Sequence, residues 1–212
     1  MPNLIVETLP VGLLQCNCVI LGDAKTGKAL IVDPGDEVEK IAAVLDRNGL
    51  TVAAIAVTHA HIDHVGGLAG LREMTGAPTL MHEADALLYA ELAMQAQFLG
   101  VAVPLAAKID RYMTDGDRLA FGGAEAVVEH TPGHTPGSVT FVVGAESPLV
   151  LSGDTLFAGG IGRTDLWGGS FDAIIRSIKT RLFALPDDSA VVPGHGPSTT
   201  IGYERKTNPF LS

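Results

Sequence analysis

Histidine and aspartate side chains gather in one short segment of the chain. Residues 58–64 read THAHIDH, so three of the seven histidines and one aspartate follow directly after the apolar segment 52–57. Imidazole and carboxylate groups are preferred protein ligands of Zn²⁺ and related transition metals. Such ligands collect in loops at the ends of buried strands, where a rigid scaffold holds them. The pattern therefore predicts a metal site at the end of this strand.

Three more candidate ligands follow strand-like segments later in the chain. They lie in the segments TPGHTPG (131–137), SGDT (152–155) and PGHGP (193–197). Proline and glycine fix these turns and let the backbone approach closely, which favours a defined ligand geometry. Seven ligands are too many for one tetrahedral metal and fit two metals that share a bridging group. The predicted ligands are His59, His61, Asp63, His64, His134, Asp154 and His195.

The two remaining histidines belong to no such motif. Pro132 and Gly133 lie between His130 and His134, so these two histidines cannot share one helical face. We expect His82 and His130 to be ordinary packed or capping residues.

The segments that must position the ligands alternate between strand-like and helix-like patterns, which predicts an α/β layered fold. A helix is expected after Asp36, as the first residue of a capping box with Glu39, and another after Ser170. Further helices are expected at 66–75 and 84–100, and an irregular connection at 101–115. No linker or repeat is visible, so residues 1–212 are predicted to form a single domain. Strands are predicted at 4–8, 18–21, 29–33, 52–57, 78–82, 118–121, 126–129, 139–143, 149–151 and 190–192.

Composition excludes several classes of function. Asp and Glu total 24 against 14 Lys and Arg, a formal net charge of −10, and without a basic run we expect no nucleic-acid partner. Apolar runs are far shorter than the roughly 20 residues of a membrane span, and the start of the chain lacks a signal-peptide pattern. We therefore expect a cytoplasmic protein with no membrane partner. Cys16 and Cys18 are too few and too close for a disulfide framework, and reduced, partly buried thiols are expected.

The order of these motifs resembles the signature of the metallo-β-lactamase superfamily over nearly the whole chain. The resemblance implies a four-layer αββα sandwich and two divalent metal ions, with zinc favoured over iron or manganese. It implies that Asp154 bridges the two metals and that Asp33, in VDPG (32–35), orients a ligand histidine. The implied ligands are His59, His61 and His134 for one metal, and Asp63, His64 and His195 for the other.

Three other segments are similar to the glyoxalase II-like hydrolases: GDTLF (153–157), GRTD (162–165) and the tail from PGHGP to NPF (208–210). The similarity is strongest to the short bacterial forms, which lack the C-terminal glutathione-binding domain. It implies that a metal-bridging hydroxide, tuned and positioned by Asp63 and Asp154, attacks a small-molecule thioester such as S-lactoylglutathione. A thioester releases a thiolate, whose thiol has a pKa of about 8.5, so the leaving group needs little help from a general acid. A homo-oligomer is compatible with the sequence.

Candidate substrate contacts lie outside the ligand motifs. Arg163 could hold a carboxylate or a glutathione-like tail, although a surface salt bridge explains it equally well. Phe157 and Tyr203 are further candidates, and Phe98 and Trp167 could also line the entrance, while core packing would account for each of these aromatic residues singly.

Other functions fit part of the same pattern. Persulfide dioxygenases share the fold, the histidine loop and the segment GIGRTD (160–165), and they would imply one Fe(II) held by His59, His134 and Asp154. The hydrolase is favoured because His195 lies in PGHGP and not in the His-Asp-Tyr context of the dioxygenases. A β-lactamase is disfavoured because Asp154 stands where many use cysteine or serine, and because no export signal is readable. A non-catalytic metal-binding module is disfavoured because all seven ligands are present.

Overall fold

The computed structural model describes residues 4–211 and contains two six-stranded mixed sheets. In the first sheet the strands lie side by side in chain order, antiparallel at first and parallel from the third strand onward. Parallel neighbours need crossover connections, and helices supply them here. The strands are β1 (Leu4–Val11), β2 (Cys16–Asp23), β3 (Lys28–Val32), β4 (Thr51–Ala56), β5 (Thr79–His82) and β6 (Arg111–Met113).

The second sheet has the order β14-β13-β10-β9-β8-β7, in which β10 and β13 run parallel and the other neighbours antiparallel. Its strands are β7 (Arg118–Phe121), β8 (Ala124–His130), β9 (Val139–Val143), β10 (Leu149–Gly153), β13 (Ala190–Pro193) and β14 (Thr199–Thr200). A small hairpin of β11 (Leu156–Phe157) and β12 (Gly160–Ile161) follows β10.

Short helices cover both sheets, and none of those within residues 4–211 has the length and hydropathy of a bilayer-crossing helix. Those of the first sheet are α1 (Val38–Asn48), α2 (Ile62–Val65), α3 (Leu68–Thr75), α4 (Ala86–Ala90) and α5 (Leu92–Leu99), with a 3₁₀ helix at Glu83–Asp85. Those of the second are α6 (Phe171–Thr180) and α7 (Ile201–Thr207), with a 3₁₀ helix at Leu182–Ala184.

The core lies in three layers of apolar side chains. Successive side chains of a strand point to opposite faces, so Cys18 and Ile20 of β2 pack beneath the helices while Val19 and Leu21 pack between the two sheets. A third layer packs α6 and α7 against the outer face of the second sheet. The structure therefore confirms the predicted four-layer αββα sandwich.

Some elements differ from the sequence prediction. Helix α1 begins only at Val38, because Glu37 adopts a left-handed conformation with φ 48° and Asp36 makes no capping box with Glu39. The helix predicted over 84–100 is broken at Glu91, whose φ of −99° and ψ of 28° leave the helical region. Strand β6 lies within the segment expected to be irregular, and α7 was not predicted.

Candidate metal centre

The candidate ligands all lie just beyond the carboxyl ends of strands. Strand β4 of the first sheet leads to His59, His61 and the short helix α2, which carries Asp63 and His64. Strands β8, β10 and β13 of the second sheet lead to the other three ligands, His134, Asp154 and His195. The site therefore lies at the edge of the sandwich where strands of both sheets end.

Three buried histidines form the first ligand group. His61 Nδ1 lies 3.0 Å from His59 Nε2 and 2.8 Å from His134 Nε2. The outer nitrogen of His134, Nδ1, lies 2.8 Å from the carbonyl oxygen of Arg163, which can only accept a hydrogen bond. His134 Nδ1 therefore carries the proton, and a neutral ring turns the lone pair of Nε2 toward His61.

Hydrogen bonding fixes the orientation of His59 in the same way. The Thr58 hydroxyl donates to Asp33 Oδ2 at 2.7 Å, so it accepts from His59 Nδ1 at 3.0 Å and leaves the lone pair of His59 Nε2 facing inward. Within residues 4–211, His61 Nε2 is buried without a hydrogen-bond partner. The lone pairs of His59 and His134 thus converge on His61 Nδ1, and three imidazole nitrogens this close together form a donor set that fits a metal ion.

Burial keeps the rings of His59 and His61 neutral. It lowers the pKa of His59 well below its usual value, with a further contribution from the neighbouring histidines. It also lowers the pKa of His61 to about 3. Both side chains are therefore in the form that binds metals at neutral pH.

Asp63, His64 and His195 form the second ligand group. His195 Nε2 lies 3.1 Å from Asp63 Oδ2 and 3.3 Å from His64 Nε2. Burial disfavours a charged Asp63, but His64 and a hydrogen bond from His195 lower its pKa, so the carboxyl group is ionised. The outer nitrogen of His195 donates to the carbonyl oxygen of Leu14 at 2.9 Å.

Asp154 lies between the two groups. Its Oδ1 is 3.5 Å from His64 Nε2 and its Oδ2 is 3.5 Å from His134 Nε2. In the described part of the chain, Asp154 Oδ1 is buried with no hydrogen-bond partner. A Cβ atom at Gly194 would lie 2.1 Å from Asp154 Oδ1, so only glycine leaves room for this carboxylate. Its Oδ2 also lies 3.8 Å from His195 Nε2, so the carboxylate borders both ligand groups, a position from which it could bridge two metals.

Asp33 is the buried carboxylate behind both groups. Its Oδ2 accepts from His64 Nδ1 at 3.0 Å and from the Thr58 hydroxyl, while its Oδ1 accepts from the Thr58 backbone N–H at 2.6 Å. Its φ of 54° is unusual for a residue with a Cβ atom, and such strain is found where a side chain must be aimed. Asp33 thus contacts His64 directly and His59 through Thr58.

Asp85 was missed by the sequence analysis. This fully buried carboxylate accepts from the Ala60 N–H at 2.9 Å, the Thr135 hydroxyl at 2.8 Å and the Gly137 N–H at 2.6 Å. It therefore connects the loop of His59 to the loop of His134. Burial raises its pKa above the usual value, although these hydrogen bonds act in the opposite direction.

Gln95 and Asn17 are two further missed residues that hold ligand loops. Gln95 accepts from the Ile62 N–H at 2.9 Å and donates to the Ala60 carbonyl at 3.1 Å. Asn17 donates to the carbonyls of Pro193 and Gly196, on either side of His195, at 2.9 and 3.0 Å. The signal that could have revealed them is a polar residue in an otherwise apolar, buried segment.

The two cysteines are free, as predicted, but they are fully buried and not partly buried. Cys16 Sγ lies 3.5 Å from His64 Nδ1, and burial raises the pKa of its thiol to about 12. Cys16 is therefore a neutral thiol beside the second group.

A cavity of about 170 Å³ opens over the two groups. Phe98 and Trp167 border it with their ring centroids 5.6 Å apart, and both are partly exposed rather than packed in the core. Arg163 also borders the cavity and pairs with Asp165 at 2.8 Å. Phe157 and Tyr203 do not line it, and Tyr203 is 60% exposed on α7.

His82 and His130 lie outside both groups. Their rings stack with centroids 4.2 Å apart, and His82 Nδ1 accepts from the Ala84 N–H at the start of a 3₁₀ helix. The structure therefore gives them packing and capping contacts.

Comparison with known proteins identifies related sequences. A model of the Metallo-beta-lactamase superfamily matches residues 11–195. The hydroxyacylglutathione hydrolase GloC of Haemophilus influenzae is 38% identical over 209 residues, which cover 98% of each chain. The probable metallo-hydrolase YqgX of Bacillus subtilis is 39% identical over 205 residues, which cover 96% of each chain.

Solved structures show the same fold. The BLEG-1 B3 metallo-beta-lactamase has a TM-score of 0.91 and 36% identity, with 98% of this chain and 100% of that chain covered. TTHA1623 in a di-iron-bound form has a TM-score of 0.87 and 41% identity, with 97% of this chain and 100% of that chain covered. ETHE1 from Myxococcus xanthus has a TM-score of 0.77 and 28% identity, with 97% of this chain and 83% of that chain covered.

Proposed function

Because the chain belongs to the metallo-beta-lactamase superfamily, we propose that it is a metal-dependent hydrolase that cleaves thioesters with two divalent metal ions. The observation that carries the proposal is the pair of ligand groups with Asp154 between them. Asp154 is proposed as the bridge, and zinc is favoured by imidazole and carboxylate donors. The proposed ligands are His59, His61 and His134 for one metal, and Asp63, His64 and His195 for the other.

When bound, the metal ions supply a water molecule whose pKa is lowered to about 7 and a Lewis acid for the carbonyl oxygen of the substrate. The side chains do the positioning. The ionised carboxylate of Asp63 and the buried Oδ1 of Asp154 orient the attacking water. Asp33 holds His64 through a hydrogen bond and fixes His59 through Thr58.

The residues around the cavity support a leaving group that needs no proton. Apart from the proposed ligands, Arg163 is the one ionisable side chain among the described residues that line it. A guanidinium does not give up a proton near neutral pH, so it cannot act as a general acid. A thiolate leaves without protonation because its thiol has a pKa of about 8.5, whereas an amine does not. Hydrolysis breaks the C–S bond, forms a C–O bond to the water oxygen and releases a carboxylate, a thiol and one proton.

The relatives agree with this choice to different degrees. GloC is described as a hydroxyacylglutathione hydrolase and matches over nearly its full length, which supports a glutathione-derived thioester as substrate. BLEG-1 shares the fold and is described as a B3 metallo-beta-lactamase, and the sequence motifs are also similar to those of persulfide dioxygenases, so a β-lactamase and a dioxygenase are the activities that the test must separate.

The test combines metal analysis with three substrates. Protein purified without added metal or chelator is analysed for metal identity and atoms per chain, then assayed with S-lactoylglutathione under nitrogen, with glutathione persulfide under oxygen, and with the cephalosporin nitrocefin. We expect two metals per chain and anaerobic thioester hydrolysis. One iron per chain with oxygen-dependent sulfite formation, or hydrolysis of nitrocefin alone, would contradict the proposal.

A further inference from the structure

A second cavity, of about 310 Å³, lies beside the metal centre. Its walls come from the turn between β1 and β2, the turn after β3, helix α2 and the segment that follows α5. These elements are far apart in the sequence, so the cavity is formed by the fold and not by one loop.

The two cavities are adjacent and share part of their walls. Leu14, Ile62, Asp63 and Leu99 line both of them. A molecule with its carbonyl group at the metal centre can therefore extend past Asp63 into the larger cavity without leaving the protein surface.

The walls of the larger cavity are apolar. Leu13 is 80% exposed and Val103 is 59% exposed, and Leu99 and Val101 are also partly exposed along it. Neighbouring exposed apolar side chains of this kind usually mark a binding surface. An apolar ligand would remove them from water.

The charged side chains along this cavity disfavour an anionic ligand. Asp36 and Asp63 are the only charged side chains among the described residues that line it, and both are acidic. Arg163 borders the smaller cavity but not the larger one. A glutathione-like group with two carboxylates therefore fits the smaller cavity better, beside the one cation.

We propose that the larger cavity binds the acyl chain of the thioester, so that preferred substrates carry an aliphatic acyl group of several carbons and their thiol part lies toward Arg163. The inference rests on the proposed thioester hydrolysis and names its substrate class. The reaction is unchanged, since water still replaces the sulfur on the acyl carbon.

The test is the dependence of hydrolysis on acyl chain length. The holoenzyme is assayed with acetyl, butanoyl and hexanoyl thioesters of N-acetylcysteamine, which share one uncharged thiol. Burying each added methylene should raise kcat/KM by about fourfold until the cavity is filled. The readout is the ratio of kcat/KM for hexanoyl over acetyl, because it does not depend on metal loading or on the folded fraction.

Val103→Asn and Leu105→Asn form a matched pair. Val103 lines the cavity, whereas Leu105, two residues further on and 81% exposed, does not. Neither substitution changes the charge near the metal centre. We expect Val103→Asn to lower the hexanoyl-to-acetyl ratio by about tenfold and Leu105→Asn to leave it at the wild-type value.

The outcomes separate the two proposals. If acetyl and hexanoyl thioesters are hydrolysed equally well, thioester hydrolysis stands and the acyl cavity is wrong. If only S-lactoylglutathione is hydrolysed, thioester hydrolysis again stands and the acyl cavity is wrong, and if S-lactoylglutathione is not hydrolysed either, both proposals are wrong. Equal ratios in the two variants would also overturn the cavity assignment. A different assignment would follow if light scattering showed that the wild type is a dimer and that Val103→Asn is a monomer, and if kcat/KM of the wild type did not depend on chain length. The apolar surface would then be an interface between copies of the chain, and the acyl cavity would be wrong.

Discussion

At the scale of single residues, the site depends on where each histidine carries its proton. Partners that can only accept, such as the Arg163 and Leu14 carbonyls, hold the outer nitrogens of His134 and His195. Asp33 does the same for His64. In the neutral form that binds a metal, a contact of this kind places the one proton on the outer nitrogen and leaves the lone pair of the other nitrogen facing inward.

Replacing a ligand histidine should remove a metal ion, whereas replacing a nearby histidine that is not a ligand should not. We expect His134→Ala to lower the metal content from two atoms per chain to about one and to abolish hydrolysis, because two of the three donors cannot hold the first metal. His130→Ala, four residues earlier, should keep both metals and most of the activity. Elemental analysis and the thioester assay measure both variants, and loss of metal from His130→Ala would overturn the ligand assignment.

The bridging carboxylate should affect both metals at once. Asp154→Ala removes an oxygen from each ligand group, so we expect both metal affinities to fall, by about 10- to 100-fold or more. Titration with a chelator of known affinity measures the two constants. A variant that loses one metal and binds the other at wild-type strength would show that Asp154 does not bridge.

At the scale of the helices and strands, the sequence reveals elements that have a local residue pattern, but it does not reveal contacts between residues far apart in the chain. Strands such as Val139–Val143 are predicted well because runs of β-branched residues are local signals. The start of α1 is not, because the left-handed Glu37 leaves no mark in the residue types. Asp85 is also hidden, since its partners Ala60 and Gly137 lie 25 and 52 residues away.

Removing the charge of Asp85 should loosen the two ligand loops. In Asp85→Asn, the amide nitrogen would face one of the donors that now contact the carboxylate, leaving buried N–H groups unpaired. We expect a loss of about 2 kcal/mol of unfolding free energy, and a Tm lower by about 4–8 °C. Glu83→Gln is the control, because Glu83 is exposed in the same 3₁₀ helix. Calorimetry on both variants checks this, and equal Tm values would contradict the role given to Asp85.

At the scale of the whole molecule, each ligand group joins the two sheets. His59 and His61 follow a strand of the first sheet, and His134 follows a strand of the second. Likewise, Asp63 and His64 face His195 across the sandwich. The resemblance of the ligand motifs to a known superfamily was enough to predict the αββα architecture. The contacts that join the two halves have no local residue pattern and could not be predicted from the sequence.

Metal removal should therefore destabilise the entire fold. A ligand at a thousand times its Kd adds about 4 kcal/mol to the folded state, which corresponds to about 8–16 °C in Tm for a chain of this size. We expect that fall after chelation and its reversal when zinc is added back, both measured by calorimetry. An unchanged Tm in protein shown to be metal-free would indicate that the sheets do not need the metals to stay packed.

The division of the ligands between the two sheets also bears on how the protein would acquire its metals in a cell. His64 and His195 are separated by 131 residues, so the second group cannot exist until the ribosome has synthesised the chain as far as His195. An emerging first half could hold neither ion in its final coordination. Metal choice would then be made by the folded sandwich, from whatever ions are free around it, and not by its separate halves.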